Sequence, residues 1–264
     1  MPSGTDYPPE HHLGRDLGIA YRVPEPGRIQ LTADCTEEVL RPDRTVMTEA
    51  VCSIVDEAIG FVAVLAVLPD WGSTAALSLD LTNRAVEPKG KLHVDGLVVK
   101  AGKRLVFTQC SVRWNDLLVA HARGQFARVG RAGANQHMDI PTPDPGEVFR
   151  MGTDEGHLAE HLGKSLGIRP AESGALEMRF DEYVSNSSGI LHGGVACALV
   201  LASAEAAADA PVRSADVQFL SPGRQGPFVA IANRIDEEQP GVWQAETTDS
   251  ATSTLMNRAV VRTP

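Results

Sequence analysis

The sequence predicts an α+β protein made of two tandem copies of one unit. Each copy is an antiparallel sheet wrapped around a single long helix, and the two are paired as a pseudo-dimer. Three observations predict this. First, HLGRDLGI at 12–19 recurs as HLGKSLGI at 161–168, with Lys164 a conservative counterpart of Arg15. Second, each copy leads through an extended segment into one long apolar helical run. Third, each run is followed by about four strand-like segments with no helix between them, and such a series forms an antiparallel sheet packed on that helix.

The first unit opens with a short helix at HLGRDLGI and continues into the extended segment GRIQLTADCTEEV, 27–39. A helix beginning near Met47 takes in AVCSIVDEAIGFVAVLAVL, 50–68. It is apolar nearly all round, so something must cover most of its circumference, as a curved sheet would. Its length invites a membrane test, but Asp56 and Glu57 stand near the middle, where charges are costly in lipid, and a buried core helix is expected. ALSLDLTN (76–83), KLHVDGLVVKAG (91–102), RLVFTQCSVRW (104–114) and DLLVAHARGQFARV (116–129) alternate as strands. RAGANQHMDIPTPDPGE, 131–147, is rich in Pro, Gly and polar residues and reads as a linker. The expected division is therefore 1–130, a linker over 131–150, and 151–264. The second unit repeats the plan: GALEMRFDEYVSN (174–186), a helix from near His192, then ADVQFLSP (215–222), GPFVAIANRIDEE (226–238), GVWQAETTDS (241–250) and TSTLMNRAVVRT (252–263).

With 264 residues, 43% hydrophobic and 22% charged, the chain has the composition of a globular protein able to bury real cores. A net charge of −10 argues against nucleic acid as the main partner. Cys35, Cys52, Cys110 and Cys197 are scattered without CxxC spacing, and reduced buried thiols are expected. No Walker loop, GxGxxG or metal-spaced His/Cys cluster appears, so no metal is called for. The N-terminus has no apolar segment that would serve as a secretion signal, and a cytoplasmic location is expected.

The chemistry is divided between the units. In GILHGGVACALVLAS, 189–203, a histidine and two glycines stand at the start of an apolar helix, where unpaired N–H groups and the positive dipole end suit a polarised carbonyl oxygen. Aligned without gaps at an offset of 145, His192, Gly193 and Gly194 fall opposite Met47, Thr48 and Glu49, and Asp56 falls opposite Leu201. One unit has the His-Gly-Gly and lacks the acid; the other has the acid and lacks the His-Gly-Gly. Nine helical residues turn roughly 900° and rise about 13.5 Å, so Asp56 cannot serve its own helix start. It can meet the start of a second helix running antiparallel beside it. One composite site then forms, and its mirror, with Leu201 and Met47, is dead.

These residues resemble the hotdog-fold acyl-CoA thioesterases of the PaaI type, in the 4HBT superfamily, as a tandem double hotdog. The resemblance covers both units and omits the linker. It implies that Asn186, six residues before His192, belongs to the site, and that Ser78 on the strand after the acid-bearing helix completes it. The substrate would be a coenzyme A thioester, with no other cofactor. Gly193 N–H would stabilise the oxyanion, and Asp56 would act as general base on water or attack directly to give a mixed anhydride. Asn186 would orient water or carbonyl, His192 would position the thioester, and Ser78 would hold the water. Arg84, Lys89, Lys91, Lys100, Lys103 and Arg104 crowd into 84–104, and this cluster would supply a rim for the coenzyme A phosphates. The alternative is a non-catalytic acyl-CoA or acyl-carrier binding protein that kept the groove. A hydratase would need an Asp and a His close together at one helix start, and no such pair surrounds His192 in the sequence. Fused hotdog units of this family often pair further, which leaves a homodimer of double-hotdog chains open.

Overall fold

The computed structural model describes residues 7–131, 140, 144, 146–152, 156–239 and 241–264. The first unit runs α1 (Leu13–Asp16), β1 (Ala20–Arg22), β2 (Arg28–Asp34), α2 (Thr48–Leu65), β3 (Trp71–Leu81), β4 (Lys91–Ala101), β5 (Leu105–Trp114) and β6 (Leu117–Val129). After β7 (Phe149–Arg150) come α3 (Leu162–Ser165), β8 (Arg169–Pro170), β9 (Leu176–Met178), α4 (Gly193–Ala208), β10 (Ser214–Phe219), β11 (Phe228–Arg234), β12 (Val242–Asp249) and β13 (Thr254–Arg262). Among the described residues all these strands join one antiparallel sheet in the order β7-β1-β2-β4-β5-β6-β3-β10-β13-β12-β11-β9-β8.

The seam between the units is the β3–β10 pair, which runs from Ser214 opposite Asp80 to Gln218 opposite Ala76. Inward-facing residues there, such as Leu77, Leu79, Ala215 and Val217, are buried. α2 and α4 lie side by side against the sheet and run antiparallel, because residues early in one meet residues late in the other: Thr48 bonds Glu205, and Asp56 bonds Gly194. Near the middle of the crossing Cys52 and Cys197, 145 positions apart, bring their sulfurs to 3.4 Å. The approach is this close because α4 is Gly- and Ala-rich. A Cβ on Gly194 would sit 2.6 Å from the Cys52 carbonyl oxygen. α2 is buried on nearly every face, as its apolar circumference requires.

The expected linker, 131–150, lies largely outside the described residues, but its end has a fixed place. Phe149 and Arg150 pair with β1, and the Phe149 ring tilts against Tyr21 at 5.0 Å. Met151 is buried over Gly14, and Gly156 N–H donates to Asp34 Oδ2 at 2.8 Å. Residues 149–152 and Gly156 thus pack with the first unit, and a boundary at 151 falls inside a segment that still belongs to it. All four cysteines are free and buried. Among the described residues no helix is long and apolar enough to cross a membrane.

Candidate active site between the central helices

α4 starts at Gly193, with His192 in extended conformation as its N-cap (φ −59°, ψ 134°). The His192 side chain turns back so that Nδ1 accepts from Gly194 N–H at 3.1 Å. The same N–H donates to Asp56 Oδ2 at 2.8 Å, so a carboxylate of the first unit is lodged at the helix start of the second. A helix N-terminus favours a negative charge there. Gly193 is required by this approach: a Cβ on it would lie 2.7 Å from Asp56 Oδ2 and 3.0 Å from Oδ1. Among the described residues nothing accepts from the Gly193 N–H, which opens the helix. Thr74 Oγ1, at 3.4 Å, donates to the other Asp56 oxygen.

Glu57, next along α2, reaches the far side of the same histidine, with Oε2 3.1 Å from His192 Nε2. Because Nδ1 accepts from Gly194, the neutral imidazole carries its proton on Nε2 and donates it to Glu57. His192 Nδ1 lies 3.6 Å from Asp56 Oδ2. Burial raises the Asp56 pKa above the usual carboxylate value, and the Glu57 charge adds to this. The His192 charge, the Gly194 N–H and the Thr74 hydroxyl only partly offset it. For His192 burial opposes the charged form. The Glu57 hydrogen bond and the two carboxylate charges outweigh it, and the pKa is raised.

A small cleft borders this group, lined in part by His12, Leu17, Glu57, Tyr183, Ser185 and His192. His12 is the N-cap of α1 and repeats the geometry of His192: its Nδ1 accepts from Gly14 N–H at 3.0 Å. Its Nε2 lies 3.0 Å from the Ser185 carbonyl, to which it donates, and 3.1 Å from the Tyr7 hydroxyl. Burial lowers its pKa, so the ring is held neutral. His12 thereby ties the first unit to the loop that delivers α4.

The opposite end of the helix pair, where Met47 and Leu201 stand, is filled differently. Arg41 Nη2 donates to Glu205 Oε1 at 2.5 Å and to Thr48 Oγ1 at 2.7 Å. Thr48 and Val212 N–H also donate to that same oxygen, at 2.7 and 2.9 Å. Glu49 is buried nearby, and burial together with the Glu205 charge pushes its carboxyl up to about 7.

Three sequence expectations need correction. Ser78 does not reach Asp56: it lies on the outer face of β3 and donates to Asp216 Oδ1 at 2.7 Å. A bulge between Thr74 and Ala76 shifts the strand, and Thr74 takes the place expected of Ser78. Asn186 is held in its own turn, its Oδ1 accepting from Ser188 N–H at 2.9 Å and Ile190 N–H at 3.3 Å. It shapes the loop before α4 and makes no bond to Asp56 or His192. The basic rim is divided. Arg84, Lys89 and Lys91 stand at the start of β4, and Lys103 and Arg104 lie beyond its far end. An eleven-residue strand is roughly 33 Å long, too far for one phosphate rim. Lys91 is also paired with Asp34. Residues that the sequence did not single out for the site are Glu57, His12, Thr74 and Tyr183. Two signals were available: Glu57 adjoins Asp56, and His12 opens the internal repeat. Among the described residues no group of His, Cys, Asp and Glu is arranged to hold a metal ion.

One antiparallel sheet curved over two central helices, with a carboxylate of one unit at the helix start of the other, defines a hotdog-fold protein. The comparisons agree on the fold. A family model described as the acyl-CoA thioesterase N-terminal domain matches residues 181–239, the stretch that contains His192 and Gly193. Similar solved structures include an acyl-ACP thioesterase from Bacteroides thetaiotaomicron, 10% identical, covering 90% of this chain and 98% of that one with a TM-score of 0.60. A 12:0-ACP thioesterase from Umbellularia californica is 10% identical and covers 89% and 93%, with a TM-score of 0.58. The tesB protein of Mycobacterium avium subs paratuberculosis is 11% identical and covers 94% and 96%, with a TM-score of 0.56. No curated protein matches the sequence.

Proposed function

We propose that the protein is an acyl thioester hydrolase with one composite site between its two hotdog units, which form a pseudo-dimer. The observation that carries this is the Asp56 carboxylate, buried and 2.8 Å from Gly194 N, beside a Gly193 N–H with no acceptor among the described residues. A thioester carbonyl placed on Gly193 N–H is polarised there. As water or carboxylate adds, the developing oxyanion meets a donor already in position at a helix N-terminus. Asp56 is held on its other side by Thr74. Its raised pKa makes it a stronger base than an exposed aspartate while it is ionised. It acts either as general base on water or as nucleophile through a mixed anhydride, and both routes give a carboxylic acid and a thiol. The matched family model and the fold neighbours support a thioester substrate, carried on coenzyme A or on a carrier protein.

The test is thiol release from a panel of short, medium, long and aryl acyl-CoAs and from acyl-carrier thioesters, with wild type beside Asp56→Asn. Turnover that collapses in the variant supports the reading. Tight binding with no thiol release from any member would replace it with a non-catalytic acyl-binding protein.

A further inference from the structure

Glu57 is a second, half-buried carboxylate beside the candidate site, and the proposed chemistry leaves it without a role. Its Oε2 lies 3.1 Å from His192 Nε2, and its side chain lines the cleft. The histidine is held from both sides: Gly194 N–H points at Nδ1 and Glu57 receives the Nε2 proton. This arrangement selects one tautomer, in which the bare nitrogen, Nδ1, is the one that lies 3.6 Å from Asp56 Oδ2. The groups facing the imidazole are Asp56 and Glu57 from α2 and the neutral His12 at the start of α1, with Tyr7 lying against His12. The Glu57 charge acts on His192, Asp56, Tyr7 and Tyr21.

We infer that Glu57 is a positioning residue that fixes His192 as the proton acceptor for Asp56, completing a Glu57–His192–Asp56 relay. The inference rests on the hydrolase reading. When water adds to the thioester carbonyl, its proton goes to Asp56 and its oxygen forms the new C–O bond. Asp56 hands that proton to His192 Nδ1, and the imidazolium is stabilised by Glu57. As the C–S bond breaks and the electron pair leaves on sulfur, His192 returns the proton to the thiolate. Acid and thiol leave, Asp56 is ionised and His192 is neutral again. No oxidant, metal or further reactant enters the balance.

Two variants separate charge from geometry. Glu57→Gln keeps an acceptor for Nε2–H and removes the charge; Glu57→Leu removes both. Removing the charge lowers the pKa of both His192 and Asp56, so the acid limb of kcat/KM moves to lower pH in Glu57→Gln, by about half a unit or more. Its plateau kcat falls less than that of Glu57→Leu, which, with the tautomer released, loses about tenfold or more in kcat at unchanged KM. An unshifted acid limb in Glu57→Gln, or equal kcat in all three proteins, would overturn the assignment. A second readout does not depend on turnover. Nitrogen-15 NMR of the imidazoles, with His192 assigned by its loss in His192→Asn, reports the tautomer directly. Wild type and Glu57→Gln are expected to hold Nε2–H, and Glu57→Leu to lose that preference. The same tautomer and titration in all three would sink the inference. The expected NMR pattern without thiol release would uphold the role of Glu57 at His192 and remove the hydrolase reading.

Discussion

The two ends of the helix pair occupy equivalent places in a duplicated fold and have opposite chemistry. At one end Asp56 accepts from the start of α4, the Gly193 N–H has no acceptor among the described residues, and a small cleft lies beside it. At the other end Leu201 replaces the acid, and Thr48 and Glu49 replace the glycines. Arg41 closes the space by bonding Glu205, Thr48 and the Val46 carbonyl. In that second cluster Glu205 Oε1 receives three donors from within the protein, Arg41, Thr48 and the Val212 N–H, which serves cohesion. The two ends differ at the helix start as much as in the acid. Thr48 has a side chain where Gly193 has none, and that hydroxyl belongs to the ion-pair network.

Four measurements break or sharpen this contrast. Asp56→Asn is expected to lower kcat/KM for thioester hydrolysis at least about a hundredfold. Leu201→Asp at the other end should leave the rate unchanged, and equal turnover in wild type and Asp56→Asn would put the base elsewhere. Gly193→Ala is next. Its Cβ would push the Asp56 carboxylate aside, and activity should fall about ten- to a hundredfold while the thermal midpoint barely moves. A fully active Gly193→Ala would show that the close approach is not needed. Arg41→Met leaves the mostly buried Glu205 charge without its cation and is expected to lower unfolding free energy by about 3 kcal/mol, with kcat per folded molecule unchanged. A loss of kcat without loss of stability would mean that this end does take part in turnover.

The smallest effect concerns Glu49, whose carboxyl is pushed up to about 7 by burial, well above an ordinary glutamate. Because the folded state holds this proton more tightly than the unfolded one, Glu49 contributes a loss of stability as pH rises from about 4.5 through 7. Glu49→Gln should therefore match wild type at pH 4 and be more stable at pH 8, by about 2–3 kcal/mol. Denaturant midpoints at the two pH values measure this, and identical midpoint differences at both would exclude Glu49 as the titrating group.

Much of the architecture was legible because it is written as repetition. The pair HLGRDLGI and HLGKSLGI, the two apolar helices and the uninterrupted strands lead to two sheet-wrapped units, and the offset of 145 that aligns His192 with Met47 also brings Cys52 onto Cys197. What was lost depends on facing and on distance along strands. Ser78 suits a site in type, but it alternates with the buried Leu77 and Leu79 and so faces outward, while the bulge after Thr74, which no residue pattern announced, turns that hydroxyl inward. The basic residues of 84–104 are neighbours in sequence and lie at opposite ends of an extended strand. Glu57 could not be assigned a role because its partner lies on a helix 135 positions away. Arg41 and Glu205 were invisible as a pair for the same reason.

The β3–β10 seam also has a consequence for how the chain is made. Roughly 140 residues separate the end of β3 from the end of β10. At synthesis rates of about 5–20 residues per second, a nascent first unit waits roughly 7–30 s with an eleven-residue strand edge unpaired and the α4-facing side of α2 bare. Such an edge is a template for pairing with another chain. The first unit released alone is therefore expected to capture a second copy of itself or to aggregate. The intact chain avoids this because its second half arrives tethered to the first.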